Sequence, residues 1–397
     1  MMMPLVIYIF TLSAFALGLA EFVPVGLSGS VASGLGISAA QTGSMVTAYA
    51  LGASFSAPLL SALTAGWPAR RILLTAMLVF SAGSLLAAIS PALPFMVTTR
   101  FIAGAGHGLF MAVAAGTAAR LTGAQQAGRA VAVVFGGFTL AMAVGVPLST
   151  WAGSAVAWRP VMAAIGVAGV VGMVGIWRGM RDPLIPERGL TSVTLTGRAL
   201  FHPGLLSASL VTVLAYAGAF TVYTYLAPML LQLPKVNSNT VTIVMLVSGI
   251  AAALGNLAGG KMTDALGSSR ANSVIIGGII LVCLGMWWFS GSVILMILCA
   301  GLLGFFTFAS VPALQARLIG VAMQKIPHAS GVASGLNIAG FNLGIALGSV
   351  TGGRVISHYS FSRIGLAGAA LALAGLLLLR WQVRTSGTTV TRGKPLY

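Results

Sequence analysis

Acidic side chains are almost missing from this chain: its 397 residues include two aspartates and two glutamates, and charged residues of either sign make up 6%. A soluble globule needs a polar surface that this composition does not supply, and the 58% hydrophobic content and mean hydropathy of +1.01 place the chain in lipid. Cysteine is scarce too. Cys283 and Cys299 both fall in apolar runs without metal-ligand spacing, so neither a disulfide framework nor a metal centre is expected. No GxxxxGK[ST] loop occurs, which removes ATP as a direct energy source, and neither HExxH nor GxSxG is present. The chain is not expected to be an enzyme, and no cofactor is expected.

What it has in abundance is apolar runs of about 20 residues, each long enough as a helix to cross a hydrocarbon core of about 30 Å. Twelve are expected, near 5–27, 40–65, 72–90, 95–118, 130–153 and 161–177, then 205–230, 240–260, 272–290, 293–314, 330–353 and 363–381. They are too long and too continuously apolar for barrel strands. The reading is an all-α membrane protein: an N-terminal half over 1–178, a cytoplasmic loop over 179–204, a C-terminal half over 205–381 and a cytoplasmic tail over 382–397. The first run lacks a basic leader and a clear cleavage site, so it reads as a retained helix.

The net charge of +17 invites a nucleic-acid reading, but its distribution argues otherwise. With the N-terminus inside, only Arg159, Lys235, Arg354 and Arg363 fall in outer loops and Arg100 within a span; the remaining basic residues lie in inner loops and the tail. That asymmetry is the positive-inside rule, and it places both termini in the cytoplasm.

The two halves echo each other. GFTLAMAVG (137 to 145) and GFNLGIALG (340 to 348) share GFxLxxAxG, and Gly104 followed by ARL at 119 to 121 matches Gly301 followed by ARL at 316 to 318. EFVP at 21 to 24 aligns more weakly with YLAP at 225 to 228. Parallel repeats imply a pseudo-two-fold axis along the membrane normal and a cavity between the halves. Small residues in the repeated motif serve either close packing in any bundle or a moving interface.

Glu21 lies inside the apolar stretch LGLAEFVPVGL. An ionisable group in a span costs about 2.5 to 3.5 kcal/mol on insertion scales, so it faces a partner or a watery cavity. Helical rise places Glu21 about 9 Å below the outer end of the first span and Arg100 at similar depth in the fourth. A Glu21–Arg100 pair is therefore expected if these helices adjoin. Pro24 has no N–H, which leaves the carbonyl of Ala20 free and kinks the helix there. Burial and a nearby cation act in opposite senses on a carboxyl's proton affinity, so Glu21 is the candidate proton carrier, with a static pair to Arg100 as the alternative. His107, two turns after Arg100, is a second candidate carrier or a histidine bonded to a backbone carbonyl.

Candidate cavity residues of the second half are Tyr216, Tyr223, Tyr225, Asn256, Asn337 and Asn342. Tyr223 and Tyr225 equally suit an interfacial aromatic belt, and Asn342 a bond to a neighbouring helix. Together with Glu21 and Arg100 these form the expected substrate site. No metal site is expected.

These motifs resemble the major facilitator superfamily and, within it, the twelve-span drug:proton antiporters that include sugar-efflux, purine-efflux and chloramphenicol-resistance permeases. GKMTDALGSSR (260 to 270) resembles that family's cytoplasmic GxxxDxxGxxR loop, with Gly260, Asp264, Gly267 and Arg270 at its positions. RFIAGAGHG (100 to 108) is similar to its RxxxGxG motif, and AVGVPLSTW (143 to 151) to the antiporter motif, carrying over Gly145 and Pro147, with Gly137 just upstream. TYLAPML (224 to 230) and FNLGIALG (341 to 348) resemble the sugar- and purine-efflux branch. The first loop copy, SALTAGWPARR (61 to 71), has no aspartate, and Ser149 stands where a second glycine is common. The resemblance implies that Asp264 engages a helix N-terminus and arginines to stabilise one access state; a solvated loop charge is the alternative.

The expected function is export of a small organic solute in exchange for protons, by a monomer in the cytoplasmic (inner) membrane with lipid around it and no nucleic-acid partner. A facilitator or proton symporter for a solute such as a sugar or nucleoside is the second reading, and a non-transporting receptor or scaffold the third.

Overall fold

The computed structural model describes residues 3–64, 66–122, 126–155, 157–180, 200–234, 236–326 and 330–390. They are helical almost throughout, as lipid requires, because a helix satisfies its own backbone donors and acceptors. In chain order the helices are α1 (Leu5–Leu35), α2 (Ala39–Leu63), α3 (Ala69–Ala88), α4 (Leu93–Thr122), α5 (Ala127–Leu140), a π-helical segment (Ala141–Gly145), α6 (Val146–Ala155) and α7 (Trp158–Gly179). There follow α8 (Pro203–Tyr223), α9 (Leu226–Leu230), α10 (Ser238–Leu266), α11 (Ser268–Trp288), α12 (Val293–Lys325), α13 (Ser330–His358), a 3-10 turn (Phe361–Arg363) and α14 (Ile364–Val390).

Among the described residues, eleven helical stretches are long and apolar enough to cross a membrane. The 25-residue α2, which carries Gln41, Thr42, Ser44, Thr47, Ser54, Ser56 and Ser61, is not among these eleven. Packing explains this composition: α2 lies between α4 and α13, and its exposed large side chains Phe55, Leu59 and Leu63 recur every four residues on one outer stripe. The whole molecule follows that inverted plan. Leu257, Leu281 and Ile294 are largely exposed, whereas Arg100, His107 and Asn337 are buried.

Several expected boundaries move. The first helix runs to Leu35, eight residues past the expected end, and stops where Gly36 turns left-handed at φ 65°. Glu21 is therefore 14 residues from the end, about 21 Å along the axis rather than 9 Å, and near the middle of its helix. The expected seventh run divides in two: Pro228 cannot donate to the carbonyl of Thr224, and the chain turns at Thr224 and Tyr225 before α9. The expected fifth run contains the π segment, whose wider register is marked by the Val146 N–H donating to Ala141. The GKMTDALGSSR stretch is mostly helix rather than loop, since α10 continues through Asp264 and ends at Gly267, where φ is 76°.

Side-chain packing pairs α1 with α5 and α7, α2 and α3 with α4, α8 with α13 and α14, and α10 with α12. The helices before residue 180 meet those after residue 200 mainly along two lines, α2 against α13 and α10 against the π segment and α6. Most of the central linker assigned to 179–204, with Asp182 and Glu187, lies outside the described residues, as do residues 391–397 of the tail, whose first part continues α14 to Val390.

Candidate functional site

The buried ionisable groups converge on the inner faces of α1, α2 and α4. Arg100, 1% exposed, donates from Nη2 to the carbonyl of Ala20 at 2.7 Å and from Nε to that of Met45 at 3.4 Å. Its guanidinium carbon stands 4.2 Å over the ring of Tyr49. The expected Glu21–Arg100 ion pair is not formed. The reason is local: Pro24 leaves the Ala20 carbonyl with no helical donor, and that rigid acceptor takes the arginine instead.

Glu21 has a different neighbour. Its Oε2 lies 3.8 Å from Nδ1 of His107, too far for a hydrogen bond, and among the described residues this is the contact it makes with a basic side chain. The same nitrogen is 3.0 Å from the hydroxyl of Tyr49, which in turn donates to the carbonyl of Leu17 at 3.2 Å. His107 is thus bonded to a side chain, not to a backbone carbonyl. A close helix crossing makes this arrangement possible: a Cβ on Gly104 would collide with the Tyr49 carbonyl oxygen, so only glycine lets α4 approach α2 here. Sequence reasoning missed Tyr49, although a tyrosine in mid-span needs a partner for its hydroxyl.

Aromatic rings from α1, α5, α8 and α12 cluster beside this group. Phe22 meets Phe138 at 6.3 Å, Phe220 at 6.4 Å and Phe308 at 5.6 Å between centroids, and Phe138 lies 5.4 Å from the His107 ring. Tyr216 stacks on Phe220 at 5.4 Å and touches Phe341 at 4.5 Å. Phe138 and Phe341 are the matching phenylalanines of the repeated GFxLxxAxG motif.

The other expected site residues are dispersed. Tyr223 and Tyr225 are both 1% exposed, which removes them from an interfacial belt. The Tyr225 hydroxyl lies 2.8 Å from the carbonyl of Ser349 and 3.3 Å from that of Ala40, while Ser349 Oγ donates to Gly43 at 2.8 Å. These contacts stitch α2 to α13 beside a cavity of about 260 Å³ that Gln41, Thr47, Arg354 and His358 help to line. Asn256 donates to Thr139 at 3.3 Å across the α10–α5 line. Asn337 joins Thr212 and Gln315, at 2.7 and 2.6 Å. Asn342 donates to Ile338 within its own helix, and its buried Oδ1 has no partner among the described residues.

Asp264 is exposed and, among the described residues, forms no ion pair with Arg270; the exposed end of α10 leaves both in reach of solvent. Upstream of and within AVGVPLSTW, Gly137 packs on the Thr11 carbonyl, Gly145 ends the π segment and Pro147 lies in the first turn of α6, while the Ser149 side chain lies outside the described residues. No group of three or more His, Cys, Asp or Glu able to hold a metal occurs among the described residues.

A model of the Major Facilitator Superfamily matches residues 10–333. The chain belongs to that superfamily. Among its relatives, the MFS-type transporter YtbD of Bacillus subtilis is 33% identical over 373 residues, 93% of each chain. The inner membrane transport protein YdhP of Escherichia coli K12 is 33% identical over 387 residues, 96% of each. The superfamily fold is seen again in a crystal structure of a mutant form of the nucleoside transporter NupG, with a TM-score of 0.75 at 14% identity over 95% of this chain and 98% of that one. This superfamily member is accordingly a multi-pass membrane transporter that binds small molecules, and not an enzyme.

Proposed function

We propose that this chain is a proton-coupled secondary transporter that exports a small organic solute by alternating access. The supporting observation is the Glu21 group: one carboxylate, without an ion pair to the neighbouring arginine, lies beside an aromatic cluster drawn from α1, α5, α8 and α12. A carboxylate held that way is available to a proton or to a solute. In this reading α2 is the twelfth span and the chain works as a monomer of two six-helix halves, 1–178 and 205–381, linked through 179–204. Both termini are cytoplasmic and lipid covers the outer stripes. The seam that Tyr225 and Ser349 make with Ala40 and Gly43 is then the closed outer gate. Glu21, Arg100 and His107 form the coupling group, with Tyr216 and the aromatic rings beside the solute.

A ligand screen by thermal shift on purified protein supplies a solute, and flux of that solute in proteoliposomes under an imposed pH gradient tests the reading. Glu21→Gln is expected to abolish gradient-driven flux while leaving the protein folded. Gradient-driven flux at the unmodified rate in that variant would remove Glu21 from the coupling step.

A further inference from the structure

We propose that Tyr49 is a positioning residue: its hydroxyl holds the Nδ1–H of His107 away from Glu21 and so keeps the carboxylate free. The inference rests on the Glu21 reading above but concerns a residue outside that coupling group.

The geometry follows from counting hydrogens. A phenol has one, and the Tyr49 hydroxyl lies between the Leu17 carbonyl at 3.2 Å and His107 Nδ1 at 3.0 Å. A carbonyl only accepts, so the hydroxyl donates to Leu17 and its oxygen accepts from the imidazole. Nδ1 therefore carries the proton, and it points to the tyrosine at 3.0 Å in preference to the carboxylate at 3.8 Å. Both ends of the tyrosine are fixed: Leu17 lies one turn before Glu21 on α1, and the ring lies beneath Arg100 at 4.2 Å. Glu21 consequently faces a histidine whose Nδ1–H is engaged and an arginine that points one N–H at Ala20 and one at Met45 and makes no ion pair with it. The remaining titratable group near it is Tyr216 of α8, which packs on Phe220 and Phe341. Without the Tyr49 hydroxyl, Nδ1–H is left with the Glu21 carboxylate 3.8 Å away, and a small shift of either side chain would bridge the two.

The test needs no solute. The full chain, carrying isotopically labelled histidine, is placed in lipid nanodiscs, and His107→Gln identifies the His107 imidazole signals by nuclear magnetic resonance. In the unmodified chain, Nδ1 should be the protonated nitrogen, and Glu21→Gln should leave the His107 signals nearly in place. In the Tyr49→Phe background, which keeps the ring under Arg100, Glu21→Gln should move them several-fold further, a coupling that a purely structural tyrosine would not create. An equal response to Glu21→Gln in both backgrounds overturns the proposal, as does an Nε2-protonated His107 in the unmodified chain, a measurement that needs no variant at position 49. Either result would leave the pH-gradient test of Glu21 untouched, so the two readings fail separately.

Discussion

Arg100 donates to the carbonyl oxygen of Ala20, 2.7 Å away, and that carbonyl is the acceptor whose helical donor Pro24 cannot provide. A proline on one helix thus creates the anchor for a buried cation on another. A charge-assisted hydrogen bond of this kind contributes about 1.5–3 kcal/mol. Arg100→Lys, which keeps the charge but not the fork that spans Ala20 and Met45, should lower the unfolding temperature in detergent. It should also reduce flux roughly tenfold or more, since about 1.4 kcal/mol corresponds to a factor of ten. A variant as stable and as active as the parent would show that the anchor is idle.

Pro24→Ala gives the Ala20 carbonyl a competing donor. Removing a proline from a helix interior recovers up to about 3 kcal/mol of helix stability, so the variant should be more resistant to heat and slower in transport. Calorimetry and flux on one preparation test both halves of this statement.

Gly43 has no side chain where α2 meets α13: a Cβ there would collide with the Tyr225 hydroxyl oxygen. Gly43→Ala should therefore cost about 1–3 kcal/mol through overpacking and hold the seam apart. Tyr225→Phe alone should cost about 1 kcal/mol for one lost hydrogen bond. The double variant should be more stable than Gly43→Ala by itself, because phenylalanine removes the closest of the clashing atoms and leaves only the ring carbon in the way. Thiol labelling of Ser44→Cys reports the seam directly and should rise in Gly43→Ala.

Gly104 lies under the Tyr49 backbone, and Gly104→Val should disrupt the α2–α4 crossing that brings Tyr49 to Arg100 and His107. A loss of folded protein, read by size-exclusion profile and unfolding temperature, is the expected outcome. Normal folding with normal flux would show that the helices separate without consequence.

Much of this is legible from residues. Ionisable groups are conspicuous in apolar runs, so Glu21, Arg100 and His107 stand out, and the absent N–H of Pro24 points at the Ala20 carbonyl. The partner of that carbonyl is not legible, because a carboxylate and a backbone oxygen compete on distances that only the α1–α4 packing sets. Tyr49 is hidden for a related reason: a mid-span tyrosine reads as ordinary core until its neighbours are known. Phe138 is marked only by the repeated motif, and Phe22, Phe220 and Phe308 carry no signal of their own, since the same ring serves equally against lipid or over a cavity. Helix ends go astray where the terminators, Gly36 and Gly267, lie beyond the apolar residues that draw attention.

The repeated GFxLxxAxG motif has two different backbones. In α13 it continues as regular helix through Val350, whereas at the corresponding position in the other copy Pro147 follows a π-helical stretch that touches Gly249 of α10 through the Met142 carbonyl. A π turn holds one more residue than the α turn it replaces, and the proline beyond it adds no rung to the ladder. One arm of the pair is then an unbroken rod and its twin a spliced one, so near-identical lettering yields two different joints with the neighbouring helices.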